Sequence, residues 1–263
     1  MQREVTKYIM PAMAVQNQEA AAAYEQTGED WHLADQARRF DRIVEILKQE
    51  RAGVPWLEFG ALGGGFASNC ADALGHARGQ MTCCDFTPRL LERAASRGFA
   101  TALWDLENGV RPASLLPGTF QTILFCEIIE HLVGPDRTLP SVIDLLAPGG
   151  LLLMTTPNLA SFGNRLRLLR GKTPSLGPAP GFGVKAPGSL ATHDHLRVCV
   201  PEEWAFLLKS LGLTVTRIEG CTNAPRAPSE SLRRRISVGL NSLFERLPGQ
   251  LWQGTAIVAR KPV

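Results

Sequence analysis

The sequence predicts a doubly wound α/β fold, with a mostly parallel sheet of seven strands and helices on both faces. Three observations carry that prediction. Short apolar runs alternate with helix-like stretches from about residue 40 to the end of the chain. The runs lack a period of two, as strands buried on both faces do. Turn glycines fall where strands give way to helices, and strand–helix alternation implies right-handed crossovers.

Each element has its own signal. Phe40, Ile43, Val44 and Leu47 are spaced i, i+3, i+4, i+7, an amphipathic helix that Gly53 ends. Residues 54–59 read as the first strand, and a glycine-rich turn, 60–65, leads into a helix over about 66–77. Residues 81–85 form the second strand. Thr87 is the expected N-cap, with Pro88 at the first helical position of a helix that Gly98 closes. Strands three to five are expected at 100–104, 119–125 and 151–155, with a helix over about 136–146 that Pro148-Gly149-Gly150 closes. A helix over 201–211, a strand at 214–218, a helix at about 229–246 and a strand at 255–259 complete the series. Residues 1–39 are polar and Ala-rich, an N-terminal helical or lid segment ahead of one domain over 40–263. Two stretches break the rhythm, about 157–195 and 222–250, and are expected to form a small helical and loop cap.

Composition narrows the class. Of 263 residues, 44% are hydrophobic and 20% charged, ordinary for a globular protein with a real core. A formal charge of +3 is too small to argue for a nucleic-acid partner. Six cysteines form no C-x-x-C pair, and neighbouring Cys83 and Cys84 sit in an apolar run as small buried hydrophobes. These features predict a reducing, cytoplasmic setting. The N-terminus has no apolar signal core, and no apolar run approaches the roughly 20 residues that span a bilayer.

Four motifs carry chemistry. In WLEFGALGGG an apolar strand delivers Glu58 and then Gly60, Gly63 and Gly64 at a turn into a helix. Glycine there lets backbone approach a ligand, which would lie across the carboxyl ends of the strands. Asp85 closes the second strand, where a carboxylate accepts from both hydroxyls of a ribose or caps the next helix, and Phe86 follows it. Asp105 follows the third strand, placed to accept an exocyclic amine with Leu106 against the ring, or to serve as a loop acid. In FQTILFCEIIEHL the fourth strand runs through Cys126 into Glu127, Glu130 and His131.

Together with LAPGGLLLMTTPN, these motifs resemble those of the class I S-adenosylmethionine-dependent methyltransferases, which share a Rossmann-like domain. The E-x-x-E-H-L element is similar to that of the ubiquinone-pathway O-methyltransferases and bacterial sugar and natural-product methyltransferases. The likeness covers about 40–160 and returns at HLRVCVPEEWAFLLKSLGL. It implies S-adenosylmethionine as cofactor. It assigns Glu58, Gly60 and Gly64 to the cofactor loop, Asp85 to ribose, Asp105 to adenine and Glu127 to the methionine part. This chain departs from the family at Leu62, which stands where the family's middle glycine belongs, so that the loop is expected to follow a shifted path.

Glu127, Glu130 and His131 stand at i, i+3 and i+4, one face of a helical turn if such a turn begins at the strand's end. That set resembles the metal-binding element of the small-RNA terminal 2′-O-methyltransferases, which add a later histidine; here His193 and His195 are available. A divalent cation such as Mg²⁺ on Glu127, Glu130, His131 and His195 is one reading. Use of these residues without metal, with His131, His193 or His195 as general base, is the other. His32 and His76 are expected to be structural. The stretch around Leu159, Phe162, Leu166 and Leu169, with Arg165, Arg167, Arg170 and Lys172, is either a helix packed on the core or a surface for an anionic acceptor or a membrane. The expected reaction is methyl transfer to a hydroxyl of a small-molecule, sugar, glycan or natural-product acceptor. The alternatives are transfer to nitrogen, RNA 2′-O-methylation, a nicotinamide-dependent oxidoreductase and a non-catalytic partner protein.

Overall fold

The structure is a computed structural model that describes residues 37–175, 195–221 and 251–263. A seven-stranded sheet runs in the order β3-β2-β1-β4-β5-β7-β6. Its strands are β1 (Trp56–Phe59), β2 (Met81–Asp85), β3 (Ala100–Leu103), β4 (Phe120–Cys126), β5 (Leu146–Pro157), β6 (Thr214–Gly220) and β7 (Gly254–Arg260). Pairing is parallel from β3 to β5, and β7 lies antiparallel to both β5 and β6. The helices among the described residues are α1 (Ala37–Gln49), α2 (Gly65–Leu74), α3 (Pro88–Ser96), α4 (Pro135–Asp144), α5 (Phe162–Leu169) and α6 (Pro201–Ser210).

Alternate residues of the central strands feed two cores. Leu57, Phe59, Ile123, Phe125, Leu152 and Met154 face one side, where Leu139 and Val142 of α4 and Trp204 and Leu208 of α6 cover them. Trp56, Leu124, Leu151 and Leu153 face the other, beneath Ile43, Ile46 and Leu47 of α1 and Phe66 and Ala67 of α2. Side chains alternate across a strand, so burial on both faces demands the continuous apolar runs seen in the sequence. Cys83 and Cys84 fall in opposite cores for the same reason. Burial pushes the Cys84 thiol up to about 12, and it packs as a small hydrophobe.

Several boundaries differ from expectation. The helix expected from Phe40 begins at Ala37, so the border drawn between residues 39 and 40 falls inside α1. Strand five was expected at 151–155 but spans Leu146–Pro157: Leu146 pairs with Phe120 before the Pro-Gly-Gly segment, and pairing resumes at Leu151 with Thr122 after a register shift. Thr87 stands at the N-cap of α3 without a side-chain cap bond; Asp85 Oδ1 accepts its N–H at 2.9 Å instead.

The cap is described in part. α5 lies within the expected insertion, but only Asn164 of its residues is buried, while Leu168 and Leu169 are 56% and 84% exposed. The reading as a core-packed amphipathic helix is therefore corrected: α5 is held by polar bonds at its base. Asn158 Nδ2 donates to Trp252 O at 3.0 Å, Asn164 Nδ2 donates to Asn158 O at 3.2 Å, and Asn164 Oδ1 accepts Ser175 N–H at 2.8 Å. The helix expected at 229–246 and most of residues 1–39 lie outside the described residues. Among the described residues no helix is long and apolar enough to cross a membrane.

Candidate active site at the carboxyl ends of the strands

The sheet register collects the chemistry-bearing residues along one edge. Phe59 is level with Cys84 and with Phe125, so Gly60, Asp85 and Cys126 emerge side by side where the parallel strands end. Asp85 is level with Leu103, which puts Asp105 just beyond the same edge. Cys126 is level with Thr155 on its other side.

The glycine-rich turn follows a left-handed path. Gly60, Leu62, Gly63 and Gly64 have φ of 63°, 43°, 84° and 79°. Leu62 pays the steric cost of that region, which glycine escapes. Its N–H points to Asp85 Oδ2 at 3.4 Å, tying the turn to the second strand. Asp85 is buried, and burial holds its carboxyl above the ordinary carboxylate range, while the N–H groups of Thr87 and Leu62 pull it down. Phe86, the next residue, is 46% exposed, a large ring left open at the edge of a well-packed sheet. Asp105 is exposed, and its carboxylate accepts Glu107 N–H (3.0 Å), Asn108 N–H (3.2 Å) and Asn108 Nδ2 (3.0 Å). Asp105 thus stands in the loop-acid arrangement. Leu106 packs against the core cluster.

Glu58 is buried on β1, facing the side that α1 and α2 cover. Its charge, with that of Glu127, adds to burial in pushing the Cys126 thiol well up, so the three side chains converge. Glu127 sits in left-handed backbone at φ 55°. Its Oε1 accepts from Thr155 Oγ1 at 2.9 Å and its Oε2 pairs with Arg39 Nη2 at 3.0 Å. Arg39 was missed in the sequence, where it was counted with the N-terminal segment. It is buried on α1. The signal that could have found it is a cation on the inward side of a helix that packs beside the turn.

Beyond Glu127 the chain does not continue as a regular helical turn. A 3₁₀ turn, Ile129–His131, follows instead. Glu127 consequently leaves the expected metal set, and its carboxylate is committed to Arg39 and Thr155. Glu130, His131 and His195 do come together, with one ligand atom from each within 4.8 Å of the others. The two imidazoles meet edge to face at 4.8 Å between centroids. Glu130 is fully buried; Oε2 accepts from Thr156 Oγ1 at 3.2 Å, and Oε1 has no hydrogen-bond partner among the described residues. Burial, then the Glu127 charge, pushes the Glu130 carboxyl well up. His193 lies outside the described residues. His76 is structural as expected, bonded to Ala52 O at 3.1 Å and edge-on to Trp56.

A buried acid at the end of β2, an open ring beside it, a left-handed glycine turn and a partly buried pair of opposite charges fit an adenosyl amino acid. A family model described as a methyltransferase domain matches residues 31–218. The chain belongs to the class I S-adenosylmethionine-dependent methyltransferases, and its cofactor is S-adenosylmethionine. It is similar to the ubiquinone biosynthesis O-methyltransferase of Xanthomonas euvesicatoria pv. vesicatoria (strain 85-10), 28% identical over 202 residues, which cover 72% of this chain and 74% of that protein. The enzyme of the same name from Caulobacter sp. (strain K31) is 35% identical over 112 residues, 40% of this chain and 42% of that one. Among solved structures, the chain resembles the 1,6-didemethyltoxoflavin-N1-methyltransferase of Burkholderia thailandensis with bound S-adenosylhomocysteine. The TM-score is 0.60 at 16% identity, covering 97% of this chain and 90% of that one, a likeness of fold alone. The family match sets aside the nicotinamide-dependent oxidoreductase.

Proposed function

We propose that the protein transfers a methyl group to a hydroxyl oxygen of a small-molecule, sugar or natural-product acceptor. The observation that carries this reading is the cluster of Glu130, His131 and His195 beside the β4 edge. A hydroxyl must lose its proton to become a good nucleophile, and neutral imidazole takes protons near neutral pH. An amine that is already neutral attacks through its own lone pair before losing a proton, so it asks less of the cluster than a hydroxyl does. The names of the O-methyltransferase relatives support the same choice.

When bound, S-adenosylmethionine supplies a methyl group activated on a sulfonium sulfur. Asp85 would accept from the ribose hydroxyls and Phe86 would pack against the adenine, with Asp105 and Leu106 at its rim. Gly60, Gly63 and Gly64 let the backbone approach, and Glu58 and Cys126 line the methionine side. Glu127, while paired with Arg39 and Thr155, would add its charge beside the ammonium, and Arg39 would face the carboxylate. His131 or His195 accepts the acceptor's proton, with His193 as a third candidate. These groups align donor and acceptor and exclude water, which is the protein's share of such a reaction.

Glu130, His131 and His195 also fit a divalent cation, since a buried carboxylate oxygen beside two imidazoles makes no hydrogen bond among the described residues. Two nitrogen donors suit a transition ion better than Mg²⁺. Such an ion would lower a hydroxyl pKa. The cations Arg165, Arg167, Arg170 and Lys172, with exposed Leu168 and Leu169, support an acceptor that is anionic or borne on a membrane.

The test is methyl transfer to paired hydroxyl and amine acceptors, read by mass spectrometry, with and without a chelator. His131→Ala or His195→Ala is expected to cut transfer about 100-fold or more while leaving S-adenosylhomocysteine affinity nearly unchanged. Methylation of amines alone rejects the oxygen reading, and hydroxyl transfer indifferent to both changes rejects the histidine base. Loss in chelator restored by one divalent ion establishes the metal.

A further inference from the structure

The segment that presents His131 is neither strand nor α-helix. It passes through left-handed Glu127 and the short 3₁₀ turn, then runs irregularly to α4. Its position depends on bonds from other parts of the chain. Glu107 Oε1 accepts the N–H of Val133 at 2.7 Å and of Gly134 at 3.0 Å. Glu107 reaches across 26 residues to do so from the Asp105 loop, where its own N–H is held by Asp105 Oδ1 at 3.0 Å. On the far side, Val133 O accepts from Arg197 Nη2 at 2.7 Å and Nε at 3.2 Å. Glu130 O accepts the N–H groups of Leu196 at 2.7 Å and Arg197 at 3.0 Å. Val133 is thus gripped at its N–H by the Asp105 loop and at its C=O by the stretch that carries His195.

We infer that Glu107 is a positioning residue, coupling occupation of the adenosyl-binding loop to the placement of His131 and His195. The inference rests on the reading of Asp105 as part of the cofactor's adenine rim. A carboxylate before α4 also favours that helix electrically, since its N-terminus carries unsatisfied N–H groups. A cap alone, however, would serve equally from a neighbouring residue; the N-cap, Gly134, has no side chain, and the chain supplies the acceptor from the loop that ends at Asp105. A ligand that stills this loop stills Glu107, then Val133, then Arg197 and the stretch beginning at His195. The Glu107 bonds are partly sheltered from solvent and charge-assisted, which makes them the stronger kind.

The experiment is amide hydrogen exchange on the full chain, with S-adenosylhomocysteine as probe and its affinity read by calorimetry. In the native protein the probe slows exchange at Leu196 and Arg197 by about tenfold or more. Glu107→Ala keeps probe affinity within about threefold, because the Glu107 carboxylate is turned to Val133 and Gly134, yet loses that slowing. Glu107→Gln, which retains an Oε1 acceptor, restores most of it. Arg197→Ala loses the slowing at Leu196 while exchange at Val133 stays slow. Retention of the slowing in Glu107→Ala overturns the coupling and leaves Glu107 as a helix cap. Failure of the probe to bind the native protein instead overturns the adenosyl reading, and is seen before any variant is made.

Discussion

Asp85 joins three pieces of the cofactor edge: the end of β2, the glycine turn through Leu62 N–H and the start of α3 through Thr87 N–H. Its raised pKa has two consequences of opposite sign. The proposed ribose contact needs the ionised form of Asp85 to accept two hydroxyls. S-adenosylhomocysteine affinity is therefore full above the raised pKa and falls about tenfold per pH unit below it. Calorimetry across pH should show that fall at a higher pH than an ordinary carboxylate would give, and Asp85→Asn should bind weakly with the slope gone. Without ligand, an acid raised by burial contributes stability below its ordinary pKa and loses it as pH rises through the raised one. Asp85→Asn should accordingly gain thermal midpoint on the native protein as pH rises. Gly64 is the second test at this scale. At φ 79°, an added Cβ would lie 3.1 Å from the Phe99 ring and 3.3 Å from Ala94 Cβ. Gly64→Ala should cost about 1–3 kcal/mol in thermal unfolding and impair cofactor binding.

Among elements, α5 and the strand ends differ in what holds them. α5 draws little from apolar burial, so its attachment rests on Asn158 and Asn164. Asn158 is buried and also accepts Ala160 N–H at 2.9 Å through Oδ1. Asn158→Ala strands buried partners and should cost about 1–3 kcal/mol in the stability of the cap's attachment, read as faster proteolysis within 159–175 before the sheet unfolds. The element boundaries show what a sequence reveals locally. β2 was legible to the residue because Met81–Asp85 is a continuous apolar run that ends in an acid. β5 was not, because the Pro-Gly-Gly segment reads as a stop, whereas Gly150 is pressed against Ala147 O and Phe120 O inside the sheet. The E-x-x-E-H spacing likewise implied a helical face that the left-handed residue Glu127 breaks.

For the whole molecule, the carboxyl edge of the sheet, where cofactor binding is proposed, is supported by aromatic packing beneath it. Phe125 and Phe59 meet at 5.5 Å and Phe59 and Trp104 at 5.9 Å between ring centroids. Phe125 is fully buried at the centre of the sheet, and Phe125→Ala should cost about 3–5 kcal/mol in denaturant unfolding. Because the same side chain backs the β4 end, cofactor affinity should fall with it. A network of ion pairs closes the opposite side: Arg42 and Arg217 both meet Glu219, and Arg260 meets Glu50 at 3.0 Å, joining α1 to β6 and β7. These partly exposed pairs align α1, and with it buried Arg39, more than they stabilise the fold.

By itself the sequence determined the sheet, its alternation with helices and the acids and glycines that fall where the parallel strands end. Those features follow from local rules: apolar runs for doubly buried strands, and turn residues where the chain reverses. Only the tertiary structure decided that Arg39 faces Glu127, that Glu127 leaves the cluster its spacing implied, and that His195 joins Glu130 and His131. Those depend on backbone dihedrals and on segments distant in the chain being packed together, and spacing along a sequence carries neither.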